Sequence, residues 1–255
     1  MLSVPAGRFA PINSLRLRCG EIHLWTLDLA ARRLSEALFW PLLDDREQAR
    51  AGLFRHENSR RRFTLVRGGL RWLLGRYLEI EPDQLSFILG DRGKPRLSGT
   101  EPNRGLVFNV SHSNDSALVA LARDTAVGVD IESWRVLNHL EGMAARCLAT
   151  REWAYWTGLR DQARLAAFFS FWTCKEAFVK AVGAGIALGL QRCVIDLEPE
   201  PRLVSVPGHC GQSEDWQLIG LNTAPGTSAA LCASGIIREV RMGDLTGILM
   251  SETYD

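Results

Sequence analysis

Apolar residues recur along this chain in two rhythms. Over residues 21–27, 106–110, 117–122 and 127–132 they form short, nearly continuous runs between turn residues, which predicts strands. Over 44–78, 138–148, 150–158 and 161–182 they return every three or four residues, which predicts helices, the first stretch holding one or two. Gly183 and Gly185 end the last of them. A short strand at 85–89 precedes the turn sequence GDRGKP at 90–95, and strands at 191–197, 216–221 and 229–233 follow the helices. The connections at 112–116 and 123–125 are short enough for hairpins. Helices and strands alternate without a regular βαβ rhythm, so the pattern predicts an α+β protein. Element order places a boundary near 123–126, with no low-complexity linker and no strong sequence repeat.

Length and cysteine usage narrow the class. A chain of 255 residues can hold one large domain or two ordinary ones without staples. Its six cysteines form no CxxC, which argues against a zinc site and a disulfide framework. They read as reduced thiols of a cytoplasmic protein. The first twenty residues lack the apolar core of a signal peptide, and runs such as 117–122 are too short to span a bilayer, so no membrane role is expected. The net charge of +1 conceals an asymmetry: residues 46–76 hold nine arginines against Glu47 and Glu57, a local +7, leaving −6 for the remainder. Such a stretch is either a solvated helix surface or a docking surface for a polyanion.

Two segments carry the candidate chemistry. In GVDIE at 128–132, Asp130 and Glu132 are two apart, so a strand points both to one face and Ile131 to the other. Two like charges there repel unless a cation lies between them; the alternative is a pair that simply caps a strand edge. In FWTCKEAFVK at 171–180, Glu176 and Lys180 share a helix face, a spacing that also suits a surface ion pair. Phe168, Phe171, Phe178, Val179 and Val182 form the apolar stripe of that helix, with Trp172 at its edge. Lys175 falls inside the stripe, where it must snorkel or meet an anion. Two strand carboxylates and one helix carboxylate, completed by substrate and water oxygens, suit Mg²⁺. NVSHS at 109–113 sets Ser111 and His112 at a strand end, where a turn lets both donate to phosphate oxygens. Lys94, between Gly93 and Pro95, projects from a turn.

The order GKP, FNVSHS, GVDIE, FWTCKEAFVKAVGAGI resembles the 4′-phosphopantetheinyl transferases of the surfactin-synthetase-activating type, over about residues 21–235. The last two motifs are the specific ones. The resemblance implies a monomer of two similar α+β halves related by a pseudo-twofold axis, here 21–125 and 126–255 behind an extension at 1–20, with the site in the cleft between them. It implies transfer of the phosphopantetheine arm of coenzyme A to a serine of an apo acyl or peptidyl carrier protein. Asp130, Glu132 and Glu176 would then hold Mg²⁺. Lys180 would hold the diphosphate, and Ser111 and His112 the diphosphate or 3′-phosphate. Lys94 would touch adenine or phosphate, Arg62, opening the RFTLVR helix, the 3′-phosphate, and Arg46 is a further basic contact. Glu176 or Glu132, directly or through a water, would take the serine proton. Ile131 stands where some relatives carry an acidic residue.

Two other classes use parts of the same sequence. A nucleic-acid-binding module would use the arginine stretch and leave GVDIE and KEA without a role. A metal-dependent phosphohydrolase would use the same carboxylates on a nucleotide or on coenzyme A, with no protein acceptor.

Overall fold

The central strands of this protein are covered on both faces, and that is why they read as apolar runs rather than alternating ones. The computed structural model describes residues 9–11, 15–90, 92–98 and 105–252. The expected extension at 1–20 therefore falls largely outside the described residues, as does Asp91 in the GDRGKP turn.

In chain order the first elements are β1 (Phe9–Pro11), β2 (Glu21–Asp28), α1 (Glu36–Phe39), α2 (Asp45–Gly52), α3 (Glu57–Leu78), β3 (Phe87–Leu89), β4 (Pro95–Leu97), β5 (Leu106–Ser113) and β6 (Ser116–Arg123). Then come β7 (Val127–Ser133), α4 (Leu140–Cys147), α5 (Thr150–Thr157), α6 (Asp161–Val182), β8 (Val194–Asp196), β9 (Arg202–Ser205), β10 (Trp216–Leu221), β11 (Thr227–Ser234), β12 (Glu239–Asp244) and α7 (Leu245–Glu252). The predicted helix over 161–182 and strand over 216–221 match to the residue. The stretch 44–78 divides into α2, which the Asp44–Glu47 capping box starts, and α3, with the break at 53–56.

One topology occurs twice. In the first half the run is β2, α3, β5, β6, with β6 central in the order β2-β6-β5; in the second it is β7, α6, β10, β11, with β11 central in the order β10-β11-β7. Both helices have 22 residues. Alternate strand residues serve different layers. Trp25, Leu27, Val119 and Leu121 pack with α3, while Leu24, Ala120, Val129, Ile131 and Leu231 fill the space between the sheets. Ala230 and Cys232 join the core beneath α6. The result is four layers, helix, sheet, sheet, helix.

Two expectations are corrected. Of the two links expected to be hairpins, only the one after β5 is; β6 and β7 lie in different sheets, so the short link at 124–126 carries the chain from one half to the other. The apolar runs flanking it could not reveal this, because strands buried on both faces look alike in either sheet. The second expectation concerns the end of the chain. β12 lies parallel beside β2, and α7 places Leu245 and Leu249 in the first core, so β12 and α7 complete the first half.

Candidate active site

β5 and β7 run side by side, and polar side chains of one bond the backbone of the other. The amides of Val129, Ile131 and Ser133 donate to Asn109 Oδ1 (2.8 Å), Ser111 Oγ (3.4 Å) and Ser113 Oγ (3.1 Å). Asn109, Ser111 and Ser113 alternate on β5, so the NVSHS motif is a polar ladder that joins the two halves. Asn109 and Ser113 were not among the expected site residues, although their period-two spacing with Ser111 was visible in the sequence.

The ladder leads to the carboxylates. Asp130 is buried, and its Oδ1 accepts from Ser111 Oγ (2.8 Å) and Lys180 Nζ (2.7 Å). Lys180 Nζ also donates to Ser111 Oγ (2.9 Å) and to the carbonyl of Val129 (3.3 Å). Its ion pair is thus with Asp130 across the β7–α6 interface, not with Glu176 along the helix. Glu132 accepts from Ser113 Oγ and Arg135 Nη1, each at 3.0 Å. Gly128 permits this approach of strand and helix: a Cβ there would lie 2.1 Å from the carbonyl oxygen of Ala177 and 2.3 Å from the amide of Ala181.

Asp130 Oδ2 and Glu176 Oε1 are buried without a partner. Burial raises the pKa of both groups, and for Glu176 the neighbouring Asp130 adds to it; Lys180 opposes the shift in each case. Two unpartnered carboxylate oxygens are a hard donor set of the kind Mg²⁺ takes, sharing its remaining positions with phosphate and water. Among the described residues no three acidic, histidine or cysteine side chains already form a metal-holding group. Lys180 and Arg135 engage Asp130 and Glu132 respectively. The donors therefore fit a cation held jointly with a substrate rather than a closed protein cage.

The raised pKa of Glu176 has a consequence for stability. Between the ordinary glutamate pKa and the raised one, the native protein keeps a proton that the unfolded chain has released. The associated stability is present below the ordinary value and lost as pH rises through the raised one. Glu176→Gln is therefore expected to raise the denaturant midpoint of the metal-free protein at pH 8 and to do so less at pH 4, measured by equilibrium unfolding.

The remaining expected residues lie on separate elements. His112 neighbours Ser111 in β5 and so points to the opposite face, not from a turn as expected. Burial, then Lys180 and Arg62, holds its imidazole below the ordinary value, against Glu132. Arg62 lies within α3 rather than at its opening, because the helix starts at Glu57; it binds Asp115 Oδ1 through Nη2 at 2.9 Å. Arg46 is exposed on α2. Lys94 donates to the carbonyls of Val127 (3.0 Å) and Lys180 (2.6 Å) and lines a cavity of about 490 Å³ with Pro95, Arg96, Thr125 and Ala181.

Much of the arginine stretch proves structural. Arg71 is fully buried between Glu47 (2.5 Å) and Asp44 (2.6 Å) and donates to the carbonyls of Pro82 and Leu85. Arg61 caps the carbonyls of Leu29, Ala31 and Leu34, Arg67 binds Glu47, and Arg60 binds Glu36. Arg46, Arg50 and Arg55 remain exposed, beside exposed Leu53 and Phe54.

Comparisons with known proteins identify the family. The family model of the 4′-phosphopantetheinyl transferase superfamily matches residues 126–232, the segment that carries all three carboxylates and Lys180. The 4′-phosphopantetheinyl transferase HetI of Nostoc sp. is 37% identical over 222 residues, 87% of this chain and 91% of its own. A relative from Synechocystis sp. is 37% identical over 177 residues, 69% of this chain and 71% of its own. The holo-(acyl-carrier-protein) synthase of Bacillus anthracis aligns at a TM-score of 0.37 and 19% identity, covering 44% of this chain and 96% of that one. This chain belongs to the 4′-phosphopantetheinyl transferase superfamily.

Proposed function

We propose that this protein transfers the 4′-phosphopantetheine group of coenzyme A to a serine of an apo carrier protein and releases 3′,5′-ADP. The observation that carries the reading is the convergence of Asp130, Glu176, Lys180 and Ser111, with two buried carboxylate oxygens left for a cation. Asp130, Glu132 and Glu176 would hold Mg²⁺, which when bound neutralises charge on the diphosphate.

In the reaction the serine oxygen attacks the phosphorus that bears the pantetheine arm. A new Oγ–P bond forms, and the bond from that phosphorus to the bridging oxygen of 3′,5′-ADP breaks. Glu176 takes the serine proton: it has an unpartnered oxygen and a raised pKa, whereas Glu132 is engaged by Ser113 and Arg135. Lys180 turns its ammonium to the diphosphate and stabilises charge on the departing phosphate. Ser111 orients Lys180 and Asp130, while His112, Arg62 and Arg46 supply donors and positive charge for the phosphates of coenzyme A. The reading divides the chain at residues 125/126, with β12 and α7 returning to the first half, and describes a cytoplasmic monomer.

An acidic carrier would meet the exposed edge formed by Arg46, Arg50 and Arg55 with Leu53 and Phe54, where charge and apolar surface are both available. Reversing the charge at Arg50 and Arg55 together is expected to raise the KM for carrier about tenfold and leave the KM for coenzyme A unchanged. An unchanged carrier KM would remove this surface from the account. The transferase and phosphohydrolase readings separate when coenzyme A is supplied with Mg²⁺ alone: a transferase leaves it intact and forms 3′,5′-ADP only when apo carrier is added.

A further inference from the structure

The GKP lysine does something that its place in the motif does not suggest. The β3–β4 hairpin turns tightly, with the amide of Gly90 on the carbonyl of Lys94 (2.9 Å) and that of Gly93 on the carbonyl of Gly90 (2.8 Å). It presents Arg92, Lys94 and Arg96, at alternate positions, to the C-terminal end of α6. A Cβ built at Gly185 would meet Arg92 at 3.5 Å, and one at Gly183 would meet Arg96 Nη2 at 3.9 Å and Lys94 Cδ at 4.0 Å. A helix C-terminus carries partial negative charge and carbonyls without partners, so three cations of the first half face the negative end of the helix that bears Glu176 and Lys180.

Lys94 makes the specific contact. Its ammonium donates to the carbonyl of Lys180, in the last turn of α6, and to that of Val127, the first residue of β7. These two carbonyls sit close in sequence to both members of the Lys180–Asp130 ion pair. Resting on the transferase reading above, we propose that Lys94 is a positioning residue, a strut from the first half that fixes the end of α6 against the start of β7 and so sets Lys180 and Asp130 in register. Its ammonium is partly withdrawn from water, and burial, with Arg96 and Lys180 close by, lowers its pKa to about 8.

The strut and a direct contact with coenzyme A predict different kinetics. For a positioning residue, Lys94→Met lowers kcat about tenfold and leaves the KM for coenzyme A within about twofold, while Lys94→Arg recovers most of kcat. A direct phosphate contact predicts the reverse, a raised KM at nearly constant kcat, and would overturn the proposal. Amide hydrogen exchange of the unliganded variants provides a readout independent of turnover. Lys94→Met should speed exchange in the last turn of α6 and at Gly183 but not in α3, and unchanged exchange would also overturn the strut. Wild-type enzyme inactive on every carrier would instead overturn the transferase reading and leave the exchange prediction standing to be judged alone.

Discussion

Asp130→Ala is expected to lower kcat/KM for transfer about a thousandfold or more while the protein remains folded. Asp130 is where the two halves of the site meet: Ser111 reaches it from β5 and Lys180 from α6, and its second oxygen is buried and unpartnered. Without the carboxylate, Lys180 keeps only Ser111 and the Val129 carbonyl as partners, and the cation proposed here would lose its most buried ligand. The fold should survive, because removing a buried charge whose pKa burial has raised relieves desolvation as well as costing hydrogen bonds. Steady-state kinetics with saturating carrier, beside circular dichroism, checks both parts; activity within tenfold of wild type would exclude Asp130 from the chemistry.

Lys175→Met is expected to destabilise the protein by about 3–5 kcal/mol, the largest stability effect of any single change considered. Lys175 belongs to the KEA triplet yet lies fully buried, with Nζ 2.6 Å from Glu152 and donating to the carbonyls of Leu190 (2.8 Å) and Cys193 (2.6 Å). Glu152 is itself held by the amides of Ala149 (2.7 Å) and Ile195 (2.6 Å). The lysine therefore ties α6 to α5 and to the segment entering β8. Its removal leaves a carboxylate buried beside Cys147, Cys174 and Cys193 with no cation. Adding Glu152→Gln should recover part of the loss, because the amide carries no charge and its oxygen still accepts from one of the two backbone donors. Equilibrium denaturation measures both variants, and a loss below about 1 kcal/mol for Lys175→Met would mean that the pair contributes little.

The strands and long helices were legible because their rhythms are local, and the carboxylates because GVDIE and KEA combine period two with period four. The wheel likewise showed that Lys175 needed a partner. What it could not show was Glu152, which lies on a different helix and is brought near only by packing. The same limit explains the arginines: Arg71, which is buried, and Arg46, which is exposed, look alike in a basic amphipathic run, and only tertiary partners such as Glu47 and Pro82 distinguish them. β12 and α7 were missed because 236–250 mixes charged and apolar residues without a sustained period, and their pairing with β2 spans nearly the whole chain. Lys94 was placed correctly on a turn, but its reach to the far half depends on where α6 ends.

The central claim is most directly tested by intact mass. A panel of apo acyl and peptidyl carrier proteins would be incubated with this protein, coenzyme A and Mg²⁺, with Asp130→Ala in parallel. The account predicts a gain of about 340 Da, the phosphopantetheine group, on at least one carrier and none with the variant. Coenzyme A cleaved while every carrier keeps its apo mass would contradict it and establish the phosphohydrolase instead.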